Sequence, residues 1–495
     1  MSTDEKPTNC AVNSLFLELD TGDFYYFNGI WKKVGENVQL GATDDTGTIQ
    51  ITENGTVDVY DYDYADVNVP GVIPTGILPI TENGNVNVTN YATAEVGVDY
   101  VTVNFDLPAF KRTSPTELSQ ARSNLAATTV GNYALFGGGY SYSSGVGYYR
   151  YATVDAYDTT LTRTSPTALS QERSGLAATT VGNYALFGGG QSSSSYSAVV
   201  DAYDTSLTRT TPTALSQVRS SLKATTVGNY ALFGGGSGGG YNYATVDAYD
   251  TTLTRTTPTA LSQARSQLAA TTVGNYALFG GGYFYFPGDS ATYATVNAYD
   301  TTLTRTTPTA LSQARYSLAA TTVGNYALFG GGESSSSYSA VVDAYDTSLT
   351  RTTPTELSQA RDGLTATTVA RTGGSSPQSS YALFGGGYAS SFPYYSDVVD
   401  AYDTSLTRTT PTELSQARNS LTATTVGNYA LFGGGYNGSR LNIVDAYTPY
   451  HDIQVFPETK YSFNNSGEIF SPTMQTITMQ GPVVGYMKIK NTTVT

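Results

Sequence analysis

Residues able to act as nucleophile, acid–base pair or metal ligand are scarce in this chain and unevenly placed. It holds one histidine, His451, and one cysteine, Cys10. A thiol nucleophile needs a base beside it, and a zinc cage or a disulfide needs further cysteines. Both residues lie outside the repeated region described below, so that region assembles no cysteine–histidine pair. Carboxylates recur instead: Asp158, Asp204, Asp250, Asp300, Asp346 and Asp403 each precede Thr-Thr or Thr-Ser. Such a set could do general acid–base hydrolysis. An Asp opening a Thr- or Ser-containing turn also satisfies the turn's own backbone N–H groups. Six equivalent copies point to that architectural use, because a catalytic site needs asymmetry. Arg122, Arg173, Arg219, Arg265, Arg315, Arg361 and Arg418 recur as well. They could ring a channel mouth and hold an anion; the expectation is that each hydrogen-bonds carbonyls or an acidic group of an adjacent repeat. Asp44, Asp45 and the DYDYAD run from Asp61 to Asp66 lack a calcium-loop pattern and read as solvated turns. No catalytic residue, metal or cofactor is expected, and the chain is read as a non-enzyme.

These side chains belong to a repeat that decides the fold. YALFGGG begins at Tyr133, Tyr184, Tyr230, Tyr276, Tyr326, Tyr381 and Tyr429, at intervals of 46 to 55 residues. That period suits a four-stranded propeller blade and exceeds the tetratricopeptide and ankyrin units. In the unit from Arg173, Leu176–Val181 and Tyr184–Phe187 read as two strands joined by a Gly182-Asn183 turn. Ala198–Tyr203 reads as a third and Leu207–Thr211 as an outer fourth, stopped by Pro212. The Gly triplet ends a strand and opens no helix, so it serves close backbone approach or positive φ, not phosphate binding. The last unit stops at Asn442–Tyr447 without a fourth strand, and Lys111–Pro115 matches the missing piece. The ring is therefore expected to close from its N-terminal side, leaving Val101–Phe105 as a surplus strand. With 51 Gly, 41 Tyr and 13% charged residues, helix should be scarce. The expected fold class is all-β: a seven-bladed β-propeller with small N-terminal β-modules and a C-terminal β-module.

The glycines after a hydrophobic strand, the downstream Tyr157-Asp158 and the Arg opening each unit resemble the kelch family, over roughly residues 101–447. Kelch units place a Trp some residues after the Tyr. Here that region reads LTRT, and the one Trp is Trp31. Arg163 and its equivalents Arg209, Arg255, Arg305, Arg351 and Arg408 are expected to fill that corner. Kelch propellers include copper-radical oxidases, whose metal needs histidine ligands that these repeats lack.

Residues 51–69 and 80–98 (ITENGTVDVYDYDYADVNV and ITENGNVNVTNYATAEVGV) alternate apolar and polar residues around Asn-Gly turns and read as two tandem β-units. VPGVIPTGILP between them reads as a stiff connector, and LFLELDTGDFYYFNGIWKKVGE before them as a hairpin. The expected organisation is an attachment hairpin module at 1–48, the tandem units at 49–100, the propeller at 101–447 and a C-terminal β-module at 448–495. The N-terminal motifs resemble segments of structural tail or virion proteins of phages infecting Gram-positive bacteria. That resemblance implies a place on the tail or capsid surface, held by other virion proteins through the N-terminal module.

Between the second and third strands the units stop being alike. The seven loops carry Tyr140, Tyr142, Tyr148 and Tyr149; Tyr196; Tyr241 and Tyr243; Tyr283, Phe284, Tyr285 and Phe286; Tyr338; Tyr388, Phe392, Tyr394 and Tyr395; and Tyr436, among Ser, Gly and Asn. In an up-and-down blade these loops and the blade-to-blade connections share one face. Tyr with Ser and Gly is the palette of adaptable binding surfaces, so these aromatic residues are the candidate ligand-binding set, led by the first, fourth and sixth loops. The insertion ARTGGSSPQSS, Ala370–Ser380, replaces a Gly-Asn turn and is expected on the opposite face. The expected ligand is a host-surface glycan or protein, with a cellular kelch scaffold as the alternative reading and a polysaccharide hydrolase as a third. A net charge of −15 repels phosphate backbones, so nucleic acid is not an expected partner. No run is apolar enough to span a bilayer and no secretion signal opens the chain, so cytoplasmic synthesis without membrane insertion is expected. A homo-oligomer is compatible with this reading.

Overall fold

The computed structural model describes residues 110–145, 147–335, 337–370 and 380–449. Outside these it describes the backbone of short strands between residues 14 and 105 and between 459 and 489. It divides into two compact units, Ala109–Pro449 and a second made of Met1–Pro108 with Tyr450–Thr495. Among the described residues there is no helix.

The larger unit is a ring of seven four-stranded antiparallel sheets, the blades of a β-propeller. In the second blade Ala177–Val181, Tyr184–Gly188, Val200–Tyr203 and Arg209–Thr210 lie side by side in chain order. The Gly182-Asn183 turn sets the register Val181↔Tyr184, and Gly182 takes φ +52°, which a two-residue hairpin turn demands. The outer strand is shorter than its sequence suggests. Leu207 adopts φ +64° and donates its N–H to Asp204 O at 2.9 Å, so the turn extends through the leucine and pairing begins at Arg209. A two-residue outer strand leaves little unpaired edge.

Blades pack through aromatic pairs and absent Cβ atoms. Phe136 meets Tyr157 edge-on at 5.8 Å, and each of the other blades repeats the pair. A Cβ on Gly137 would stand 2.8 Å from the Phe187 ring of the next blade, so glycine there is what lets the blades meet.

Two closed circuits of hydrogen bonds fix the blade number. On the first, innermost strands, Thr129 Oγ1 donates to Thr425 O, Thr425 to Thr368 O, Thr368 to Thr322 O and Thr322 to Thr272 O. Thr272 then donates to Thr226 O, Thr226 to Thr180 O, and Thr180 back to Thr129 O. Where those strands begin, Asn124, Gly175, Ser221, Gln267, Ser317, Gly363 and Ser420 take φ between 51° and 65°. Each donates its N–H to the carbonyl of its counterpart in the preceding blade.

Phe110–Thr113 closes the ring as the fourth strand of the seventh blade, with Phe110↔Pro449 and Thr113↔Ala446 against the third strand, Val444–Pro449. Arg112 Nη1 reaches Asp445 Oδ1 at 2.9 Å, the pairing that Arg163 makes with Asp155 inside the first blade. Val103–Phe105 belongs to the other unit, paired with Tyr486–Ile489. In that unit Asp23–Phe27 pairs with both Ser14–Glu18 and Trp31–Val34, forming the N-terminal hairpin and a third strand. Ile49–Ile51 pairs with Val57–Val59, the strands flanking the first Asn-Gly pair of the tandem units. The segment read as a stiff connector instead contains a strand, Ile73–Leu78, paired with Ala65–Val69 despite its one internal proline. Thr459–Phe463 pairs with Ala94–Val98. Residues 80–93, and residues 371–379 of the insertion in the sixth blade, lie outside the described residues.

Candidate binding face

The repeated charges hold the scaffold. Arg122 is fully buried; its Nη2 donates to Asp155 Oδ2 at 2.6 Å and to Phe136 O at 3.1 Å, and its Nη1 to Thr153 O at 3.0 Å. Asp155 lies on the arginine's own blade, not the adjacent one expected from the sequence. The third strand runs beside the connector that carries the arginine, which makes it the nearest acid. The second carboxylate oxygen takes Arg163 at 2.8 Å, so the LTRT arginine is tied to the third strand of its own blade. Burial lowers the pKa of Arg122, and Asp155 opposes the drop. Asp158 Oδ1 accepts from the Thr160 hydroxyl at 2.7 Å and from the Thr160 and Thr162 N–H groups, and the hydroxyl above all holds its carboxyl below the usual range. The other Asp-Thr turns repeat this bonding.

The fourth blade breaks the pattern. Asn297 stands where six blades carry Asp. Arg265 Nη2 donates to Asn297 Oδ1 at 2.9 Å, while Arg305 turns away to Ala260 O at 2.6 Å. With burial unopposed by a carboxylate, Arg265 drops to about 10.

The variable loops do gather on one face together with the blade-to-blade connectors. Backbone bridges join Ser123 to Tyr140, Ser174 to Gln191, Ser220 to Ser237, Ser266 to Tyr283, Tyr316 to Glu333, Asp362 to Tyr388 and Asn419 to Tyr436. Aromatic contacts then run from loop to loop. Tyr338 meets Tyr388 at 6.0 Å; Tyr388 stacks on Tyr394 at 5.7 Å and meets Tyr395 at 5.4 Å; Tyr395 meets Tyr436 at 5.8 Å. The Arg440 guanidinium bridges onward, 4.6 Å from the Tyr436 ring and 4.8 Å from Tyr140, which with Tyr142 flanks Tyr148. The arc thus passes from the fifth loop through the sixth and seventh to the first. A second group joins Tyr241 to Phe286 and Tyr283 to Tyr316, and Asn242 Oδ1 accepts the Tyr285 N–H at 2.8 Å. The second loop interrupts the circle with Ser192–Ser195.

Of the candidate residues, Tyr142, Tyr148, Tyr149, Tyr241, Tyr285, Phe286, Phe392 and Tyr394 are exposed, Phe392 most of all at 86%. Tyr140, Tyr196, Tyr243, Tyr283, Phe284, Tyr338, Tyr388, Tyr395 and Tyr436 are half-buried and brace the loops. Tyr243, for example, hydrogen-bonds Gly238 O at 3.2 Å.

Three residues outside that set join the face. Arg440 is one. Asp362 and Tyr316 are the others, on connectors where the repeats otherwise carry Ser or Asn after the buried arginine; that deviation was readable in the sequence. Burial, then the Glu333 charge, raises the Asp362 carboxyl to about 6. Burial and a hydrogen bond to Glu333 push the Tyr316 phenol up.

No protein-family model matches the chain, and no curated protein matches it.

Proposed function

We propose that this chain is a non-enzymatic phage virion protein, carried on the tail or capsid surface, whose loop face binds a host-surface glycan or protein. The observation that carries the binding half is the aromatic arc. It is the part of the ring that departs most from sevenfold repetition, and it offers exposed rings on a braced base. Tyrosine rings cover sugar faces and side chains alike while the hydroxyl stays hydrated. The virion half rests on the resemblance of the N-terminal segments to phage structural proteins, with kelch-like repeats as the display scaffold and the N-terminal module as the anchor to other virion proteins.

The full-length protein is expected to bind a subset of a bacterial glycan array. Replacing the exposed Tyr148, Tyr285, Phe286 and Phe392 together by Ser should weaken that binding at least about tenfold, as loss of aromatic anchors does. Undiminished binding by the folded variant would sink the assignment of the face. Purified phage particles whose mass spectra lack the chain would overturn the virion location. A cellular kelch-type scaffold is the second reading, favoured by Arg440 among tyrosines, a combination enriched in protein–protein hot spots. Retention of one protein partner without any glycan binding would select it. Turnover of a polysaccharide by the purified protein would replace both.

A further inference from the structure

A closed propeller leaves a central channel, bordered by the innermost strand of each blade. Those strands read AATTV, AATTV, KATTV, AATTV, AATTV, TATTVA and TATTV, so Lys223 is the one charged side chain among them. Its counterparts are the buried Ala126, Ala177, Ala269 and Ala319, and Thr365 and Thr422. Lys223 pairs with Gly234, next to the glycines that lead into the third variable loop, and so stands at the loop end of the channel.

The side chain is exposed, yet burial lowers the pKa of its amine, with no carboxylate among the causes. Its exposure leaves the amine open to solvent at that mouth. On the same strand the Thr226 hydroxyl, and on the connector before it the Ser221 N–H, are spent in the two circuits of hydrogen bonds. Among the described residues the Lys223 ammonium makes no hydrogen bond or ion pair, and a cation so placed gains from any counter-charge that reaches it.

We infer that Lys223 is an anion-binding residue at the loop-side mouth of the channel, and that the ligand of the loop face bears a carboxylate or phosphate group that reaches it. The second half rests on the glycan reading of that face; the first does not.

The test uses the full-length protein with its lysines reductively ¹³C-methylated, which keeps their charge. The Lys223 signal is identified by its loss in Lys223→Ala, a variant bearing the residue that four sister blades carry and checked for an unchanged Tm. Inorganic phosphate should shift that signal saturably. Glucuronate and glucose 6-phosphate should bind roughly tenfold more weakly to Lys223→Ala, the worth of a charge-assisted hydrogen bond, while glucose binds both proteins alike. A carboxylate source is told from a phosphate source by which of the two saccharides loses more. No saturable shift with phosphate or either acidic saccharide overturns the anion site, even if neutral glycans bind the aromatic arc. A phosphate shift without any saccharide binding keeps the anion site and removes the glycan ligand.

Discussion

Asp362 stands where the sister repeats carry Ser123, Ser174, Ser220, Ser266, Tyr316 and Asn419. Half-buried beside Glu333, its carboxyl is raised from 3.8 to about 6, so the fold favours the protonated form. Its contribution to stability is therefore fully present below about pH 4 and is lost as pH rises through about 6. Asp362→Asn is expected to raise Tm by about 2–4 °C at pH 8 and to leave it unchanged at pH 4, read by thermal denaturation. An equal gain at both pH values would mean that packing, not charge, is responsible. The residue scale is also where repetition misleads. Seven equivalent arginines look like a ring of ligands, yet each is buried and committed, whereas the single Lys223 is not.

Within a blade, the third-strand Asp joins two elements: the connector before the first strand, through the buried arginine, and the outer strand, through the second arginine. The fourth blade lacks that carboxylate. Asn297→Asp is expected to stabilise the protein by about 1–3 kcal/mol in denaturant unfolding, since it supplies a buried cation with its missing partner. Asp201→Asn in the second blade should cost about 3–5 kcal/mol for the converse reason. A neutral result for both would show that neutral hydrogen bonds to Arg265 and Arg173 suffice. Three strands of each blade were legible because alternation and, in six of the seven blades, the Gly-Asn turn are local signals. The fourth was started two residues too early because Leu207 and its equivalents take the left-handed conformation, rare for a leucine, and nothing in the residue type announces it.

At the scale of the molecule, the ring is held shut by a strand from the start of the propeller. Phe110 is buried at that seam and meets Tyr381 edge-on at 4.9 Å. Phe110→Ala is expected to cost about 3–5 kcal/mol, out of proportion to its place on a four-residue strand, because it loosens the first-to-last closure. Hydrogen exchange should show the loss of protection centred on Val444–Pro449; protection unchanged there would refute the role of the seam. Chain order alone carried the blade number, the closing strand, the loop face and the absence of histidine and cysteine from the ring, because repeats are local units whose count and offsets survive in one dimension. Tertiary structure decided which loops touch, that Arg440 bridges the seventh and first, that the arginines pair within their own blades, and that Lys223 stands alone at the channel. Those facts depend on which residues the ring brings together across 33 to 333 positions of chain, and no local pattern encodes that distance.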